Sequence, residues 1–163
     1  MVAISRIQEV RSEVDRLPGA AQSAEDLMMH MAKLLNQKML KYNWVGFYLL
    51  EENPGASPGV LVLGPFVGAM TPHTRIPLNQ GICGAAASTG KTVVVDDVQS
   101  DARYLACSLE TKSEIVVPVF VRGKVVGELD IDSHFQAAFG SEDRLLVEHC
   151  AQLLGQYLEK HDA

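Results

Sequence analysis

Apolar side chains recur every three or four positions over residues 3–17, where Ile4, Ile7, Val10, Val14 and Leu17 make one stripe. That period predicts an amphipathic helix, which Pro18-Gly19 ends. A second stripe, Leu27, Met31, Leu34, Leu35 and Met39, predicts a helix from Ser23, whose hydroxyl can cap it, to about Tyr42. The pattern then changes to strands. Residues 44–50 and 59–66 are aromatic and β-branched, joined by a turn-rich loop with Pro54-Gly55 and Pro58-Gly59. Residues 67–80 read as irregular, 81–88 as a short helix of small residues, 92–95 as a strand and 96–107 as a mixed loop or short helix. Residues 114–121 and 124–132 pair as a hairpin through Arg122-Gly123. Ser141 caps a last helix reaching about His161, with Leu145, Leu146, Cys150, Leu153, Leu154, Tyr157 and Leu158 inward. Hairpin connections predict a mainly antiparallel sheet with the terminal helices on one face and a loop-covered pocket on the other.

One stretch departs from ordinary strand chemistry. Asp130 and Asp132 stand two apart in Gly127-Glu128-Leu129-Asp130-Ile131-Asp132-Ser133 and so point to one face of their strand. Like charges repel there and desolvation is costly, so a cation or a proton is expected between them. With Glu114 and Cys107 close in sequence, the pattern suggests a site holding a small ammonium-bearing molecule beside a reactive sulfur.

Composition narrows the classes. The 163 residues suit one domain, and 47% hydrophobic with 21% charged residues is ordinary for a globular chain. A net charge of −6 with no basic run argues against nucleic acid as partner. No apolar run is long enough for a membrane span, and the N-terminus lacks a signal-peptide pattern, so a cytoplasmic protein is expected. Three cysteines, Cys83, Cys107 and Cys150, are too few for a disulfide scaffold. None pairs at metal-clip spacing and no His-x-x-x-His occurs, so no structural zinc is expected. Cys150 lies on the apolar stripe of the last helix and reads as core.

The ordered set Asn43-Trp44-Val45-Gly46-Phe47-Tyr48, Leu63-Gly64-Pro65-Phe66, Arg75-Ile76-Pro77, Gly81-Ile82-Cys83-Gly84, Ala106-Cys107, Ser113-Glu114-Ile115-Val116-Val117-Pro118 and Leu129-Asp130-Ile131-Asp132 resembles the free methionine-(R)-sulfoxide reductases, over roughly residues 20–160. The resemblance implies an α+β GAF fold: one domain over 1–163 with a six-stranded antiparallel sheet. It also implies a homodimer, in which the helix within 1–19 is a candidate dimerisation element. Cys107 matches the family's catalytic cysteine, whose thiolate attacks the sulfoxide sulfur and becomes a sulfenic acid. Leu105 and Ala106 beside it are then expected at the substrate. Glu114, Asp130 and Asp132 match three pocket carboxylates. Asp132 is expected toward the substrate's ammonium, and Glu114 or Asp130 toward the sulfoxide oxygen. Trp44 and Tyr48, four apart on one strand face, match aromatics around the methylthio end, with core packing as the competing reading.

The chain also departs from the family. The string Gly-His-Ile-Ala-Cys-Asp reads Arg103-Tyr104-Leu105-Ala106-Cys107-Ser108 here, and His73 stands at the usual resolving-cysteine position. Cys83 is therefore a candidate resolving thiol, with direct reduction of Cys107 by an external thiol as the alternative. His73 reads as an exposed loop residue. No metal or organic cofactor is implied, and electrons are expected from thioredoxin or another dithiol. The competing functional class is a non-catalytic GAF module that binds a small ligand. A weaker third is a peroxide-sensing thiol protein.

Overall fold

The period-two segments build one sheet, and the period-3.6 segments at either end of the chain cover one side of it. The structure, a computed structural model, describes residues 5–53, 56–104 and 110–161. In chain order the elements are α1 (Arg6–Ala20), α2 (Ala24–Lys38), β1 (Trp44–Asn53), β2 (Ala56–Val67), β3 (Arg75–Pro77), α3 (Gly81–Thr89), β4 (Val93–Val95), a 3-10 turn at Val98–Ser100, β5 (Ser113–Val121), β6 (Lys124–Ser133) and α4 (Ser141–His161). The six strands run in the order β3-β2-β1-β6-β5-β4, and every pairing is antiparallel.

Alternation along the strands divides the interior in two. Val45, Phe47, Ile115, Val117, Val119, Leu129 and Ile131 face α1, α2 and α4, where Val10, Leu27, Met31, Leu146 and Leu154 complete the main core. The opposite face carries Trp44, Tyr48, Leu61, Ile76 and Val116, packed against Ile82, Cys83 and Ala86 of α3. Tyr42 sits in the main core, where its hydroxyl donates to Asp143 Oδ1 at 2.6 Å.

The helix boundaries differ from the sequence expectation in instructive ways. Pro18 and Gly19 lie inside the last turn of α1, because a proline there forfeits only one backbone bond while the Pro18 carbonyl still accepts from Ala21 N at 3.4 Å. Ser23 does cap α2, accepting from Asp26 N at 3.0 Å. That helix stops at Lys38 rather than near Tyr42: Asn36 turns the chain by donating from Nδ2 to the carbonyls of Tyr42 and Asn43 at 3.0 and 3.3 Å. Ser141 is the first residue of α4, and the local terminal bond runs from Gly140 N to Asp143 Oδ2 at 3.0 Å. Leu145 points outward, 61% exposed, against the expectation that it faced the core. The region expected to be irregular, 67–80, contains β3, a three-residue strand held on β2 through Leu61↔Ile76.

The β5–β6 hairpin turns on Arg122 (φ 51) and Gly123 (φ 79). Positive φ at both central residues matches the right-handed twist of the strands. This turn sets Glu114 opposite Asp132 and Val116 opposite Asp130.

Candidate active site

Three strand positions of β6, Glu128, Asp130 and Asp132, alternate with Leu129 and Ile131, which belong to the main core. Their side chains must therefore leave the sheet on the α3 side. Glu114 joins them from β5 as the cross-strand partner of Asp132. All four carboxyl groups are buried: Glu128 is 0% exposed, Asp130 3%, Asp132 4% and Glu114 5%. Removing ionised carboxylates from water is strongly unfavourable, so a cluster like this retains protons. Burial pushes Glu114 well above the usual carboxylate range, and the neighbouring Asp130 and Asp132 add to it. Burial does the same to Glu128 and Asp132. Asp130 is also raised by burial, but hydrogen bonds from Glu114 and Cys83 oppose that rise. Asp130 is thus raised against opposing hydrogen bonds, whereas Glu114 is raised by burial and by both neighbouring acids.

Cys83 meets this cluster from above. It lies in the first turn of α3, 6% exposed, and its thiol donates to Asp130 Oδ2 at 3.4 Å. Burial raises its pKa well above the ordinary thiol value, and Asp130, Glu128 and Glu114 raise it further. The small residues of α3 permit this approach: a Cβ on Gly84 would come within 2.8 Å of the Leu78 carbonyl oxygen.

The spacing of Trp44 and Tyr48 does put them on one face of β1. Trp44 and Tyr48 share the α3-side face, with ring centroids 6.4 Å apart. Gly46 lies between them and opposite Asp130; a Cβ there would fall 2.4 Å from the Trp44 ring. Trp44 stacks on Phe66 and donates from Nε1 to the Ala69 carbonyl at 3.0 Å. The Tyr48 hydroxyl donates to the His73 carbonyl at 2.8 Å, tying β1 to the loop before β3. Phe47, on the alternate face, belongs to the helix-side core.

Two hollows open around the acids. A cavity of about 20 Å³ is lined by Tyr48, His73, Ile82, Cys83, Glu114 and Asp130. A second, of about 100 Å³, is lined by Trp44, Met70, Thr71, Glu110, Asp132 and His134. His73 is thus half-buried at the cavity wall rather than simply exposed. A surface groove of about 690 Å³ between β5 and α4, near Phe120 and Glu148, contains none of these acids.

A GAF domain model matches residues 23–158. The chain belongs to the GAF domain family. This GAF domain is 37% identical over 133 residues, 82% of the chain and 74% of the relative, to the free methionine-R-sulfoxide reductase of Escherichia coli. Among solved structures it resembles the free methionine-R-sulfoxide reductase of Neisseria meningitidis in complex with its substrate: 34% identity, TM-score 0.86, covering 98% of this chain and 93% of that one. It also resembles the type II free methionine-R-sulfoxide reductase of Thermoplasma acidophilum, with 40% identity, TM-score 0.77, and coverage of 88% and 96%.

Of the residues singled out from sequence, the structure gathers Glu114, Asp130, Asp132, Cys83, Trp44 and Tyr48 on one face of the GAF sheet. Leu105, Ala106 and Cys107 lie outside the described residues. Sequence reasoning passed over Glu128, although its two-residue offset from Asp130 places it on the same face.

Proposed function

We propose that this GAF domain reduces free methionine-(R)-sulfoxide to methionine, with Cys107 as the attacking thiol. The observation that carries the reading is the convergence of Glu114, Asp130 and Asp132, all buried, on one sheet face beside Trp44 and Tyr48. The relatives of like sequence and fold act in their names on the same substrate. A free amino acid brings an ammonium that ionised oxygens bind by charge-assisted hydrogen bonds. A peptide-bound methionine sulfoxide has no such group, so the acids select the free substrate.

In the proposed reaction the Cys107 sulfur attacks the sulfoxide sulfur as Glu114, which holds its proton through burial, protonates the oxygen. The S–O bond breaks, the oxygen leaves as water, and a sulfur–sulfur bond joins Cys107 to the substrate; water then attacks the Cys107 sulfur, that bond breaks, methionine leaves, and Cys107 becomes a sulfenic acid. A second thiol, Cys83 or an external one, then condenses with it to a disulfide and releases water. A dithiol of the thioredoxin class supplies the two electrons that restore the thiols. Asp132 is assigned to the ammonium, whose binding displaces the proton that burial holds on that carboxyl. The proposal extends to a homodimer, to be checked by light scattering.

The test is methionine production from each diastereomer of free methionine sulfoxide with dithiothreitol. Turnover of the (R) form alone, abolished in Cys107→Ser, supports the reading, whereas full activity in that variant refutes it. Asp132→Asn should raise KM about tenfold or more, since a hydrogen bond to a charged group contributes about 1.5–3 kcal/mol.

A further inference from the structure

The proposed reduction uses three of the buried acids, yet a fourth, Glu128, and the Cys83 thiol lie beside them, and binding an ammonium requires neither. Cys83 Sγ, a carboxylate oxygen of Glu114 and one of Asp130 all lie within 4.8 Å of one another. Ligands at about 2.3 Å (sulfur) and 2.0–2.2 Å (oxygen) from one tetrahedral zinc ion stand about 3.5 Å apart. Side-chain adjustments of up to about an ångström close the set. Both oxygens of Glu128, Oδ1 of Asp130 and Oδ1 of Asp132 are buried with no hydrogen bond of ordinary geometry among the described residues. Groups of this kind normally have a partner. A cavity of about 20 Å³, lined by Cys83, Glu114 and Asp130, has room for a single ion or water.

We propose that Cys83, Glu114 and Asp130 form a binding site for one thiophilic divalent cation of the zinc type, with Glu128 beside it as a further oxygen donor. The donor set decides the class. A thiol is a poor acceptor for ammonium but a strong ligand, once deprotonated, for a borderline-soft ion, whereas magnesium and calcium call for oxygen alone. Binding displaces the Cys83 proton and the protons shared among the carboxyls into solvent, and no electron moves. The strands and α3 bring together ligands as far as 47 positions apart, Cys83 and Asp130, so no short sequence motif announces the site.

If the reductase reading is right, the same ion occupies the carboxyls that receive the substrate, and zinc is a competitive inhibitor. The full chain, reduced with a phosphine, is titrated with Zn²⁺ against a chromophoric chelator and with Cd²⁺ by the thiolate charge-transfer band. One ion per chain is expected, with the Cd–thiolate band present in wild type and in Cys107→Ser and lost in Cys83→Ser. Zinc affinity should fall at least about tenfold in Glu114→Gln, since even outer contacts to a metal ligand contribute that much. Glu114→Gln also decides the matter if Cys83→Ser does not fold. Absence of binding to wild type, a band that survives in Cys83→Ser, or unchanged affinity in Glu114→Gln overturns the inference. Zinc should raise KM for free methionine sulfoxide and leave kcat unchanged. Binding without any turnover of the metal-free chain would sink the reductase reading and leave the metal site standing; turnover without binding would do the reverse.

Discussion

Glu128 shows how much a single buried carboxyl controls. It has no exposed surface, and burial holds its proton well past the usual carboxylate range. Between an ordinary pKa near 4.5 and the raised native one, the folded chain binds more protons than the unfolded chain. Stability therefore falls as pH rises through that window, by up to about 1.4 kcal/mol per pH unit for each such proton. Glu128→Gln removes one of these protons from the balance. Melting curves from pH 5 to 8 should show a shallower loss of stability in the variant than in wild type. Parallel curves would mean that Glu128 is ionised in the native state. At this scale the sequence was legible where its rule was local: Asp130 and Asp132 declare a shared face by their spacing alone. Glu128 obeys the same rule but was not among the positions that the family resemblance marks. The Cys83–Asp130 contact has no local signature at all, because α3 and β6 meet only through the fold.

Among elements, those with long stripes were read correctly and those set by a few contacts were not. α1, α2 and α4 follow from their apolar period, and the β5–β6 hairpin follows from Arg122-Gly123. β3 could not be read, since Pro72 and Pro77 bracket a segment of only three strand residues that exists by pairing with β2. The end of α2 escaped for a similar reason, being set by the amide of Asn36 and not by a breaker residue. The seat of α4 on β5 rests on Gly155, where a Cβ would come within 2.3 Å of the Phe120 carbonyl oxygen; that atom is backbone and cannot swing away. Gly155→Ala should destabilise the domain by about 1–3 kcal/mol despite its gain in helix propensity, seen as a lower Tm. An unchanged Tm would show that α4 slides along the sheet at little cost.

At the scale of the molecule, the sheet separates two environments that treat cysteines differently. Cys150 is fully buried on the helix side, and burial pushes its thiol up to about 12. Cys83 is nearly buried on the acid side and is protonated by both burial and its neighbours. In the native chain a bulky maleimide should leave Cys150 unmodified and label Cys83 slowly, while denaturant should expose both, as read by peptide mass spectrometry. Rapid native labelling of Cys150 would mean that α1 and α4 separate on the labelling timescale. The cavity of about 20 Å³ at the acids is smaller than an amino acid, so a substrate that occupies it must widen it. The family resemblance indicated the fold and the acid trio. It could not indicate that Cys83 hydrogen-bonds one of those acids.

The alternation along β6 has a consequence for how this domain can vary. Every carboxyl of the pocket floor is one residue out of phase with an aliphatic neighbour sealed under the helices. Deleting a single residue between Lys124 and Glu128 would exchange the two sets, sending charge into the greasy side and leucine and isoleucine into the polar hollow. Such a frame slip would abolish folding before it could alter chemistry, so insertions and deletions should be poorly tolerated within this hairpin, and the strand's length, as much as its residues, builds the pocket.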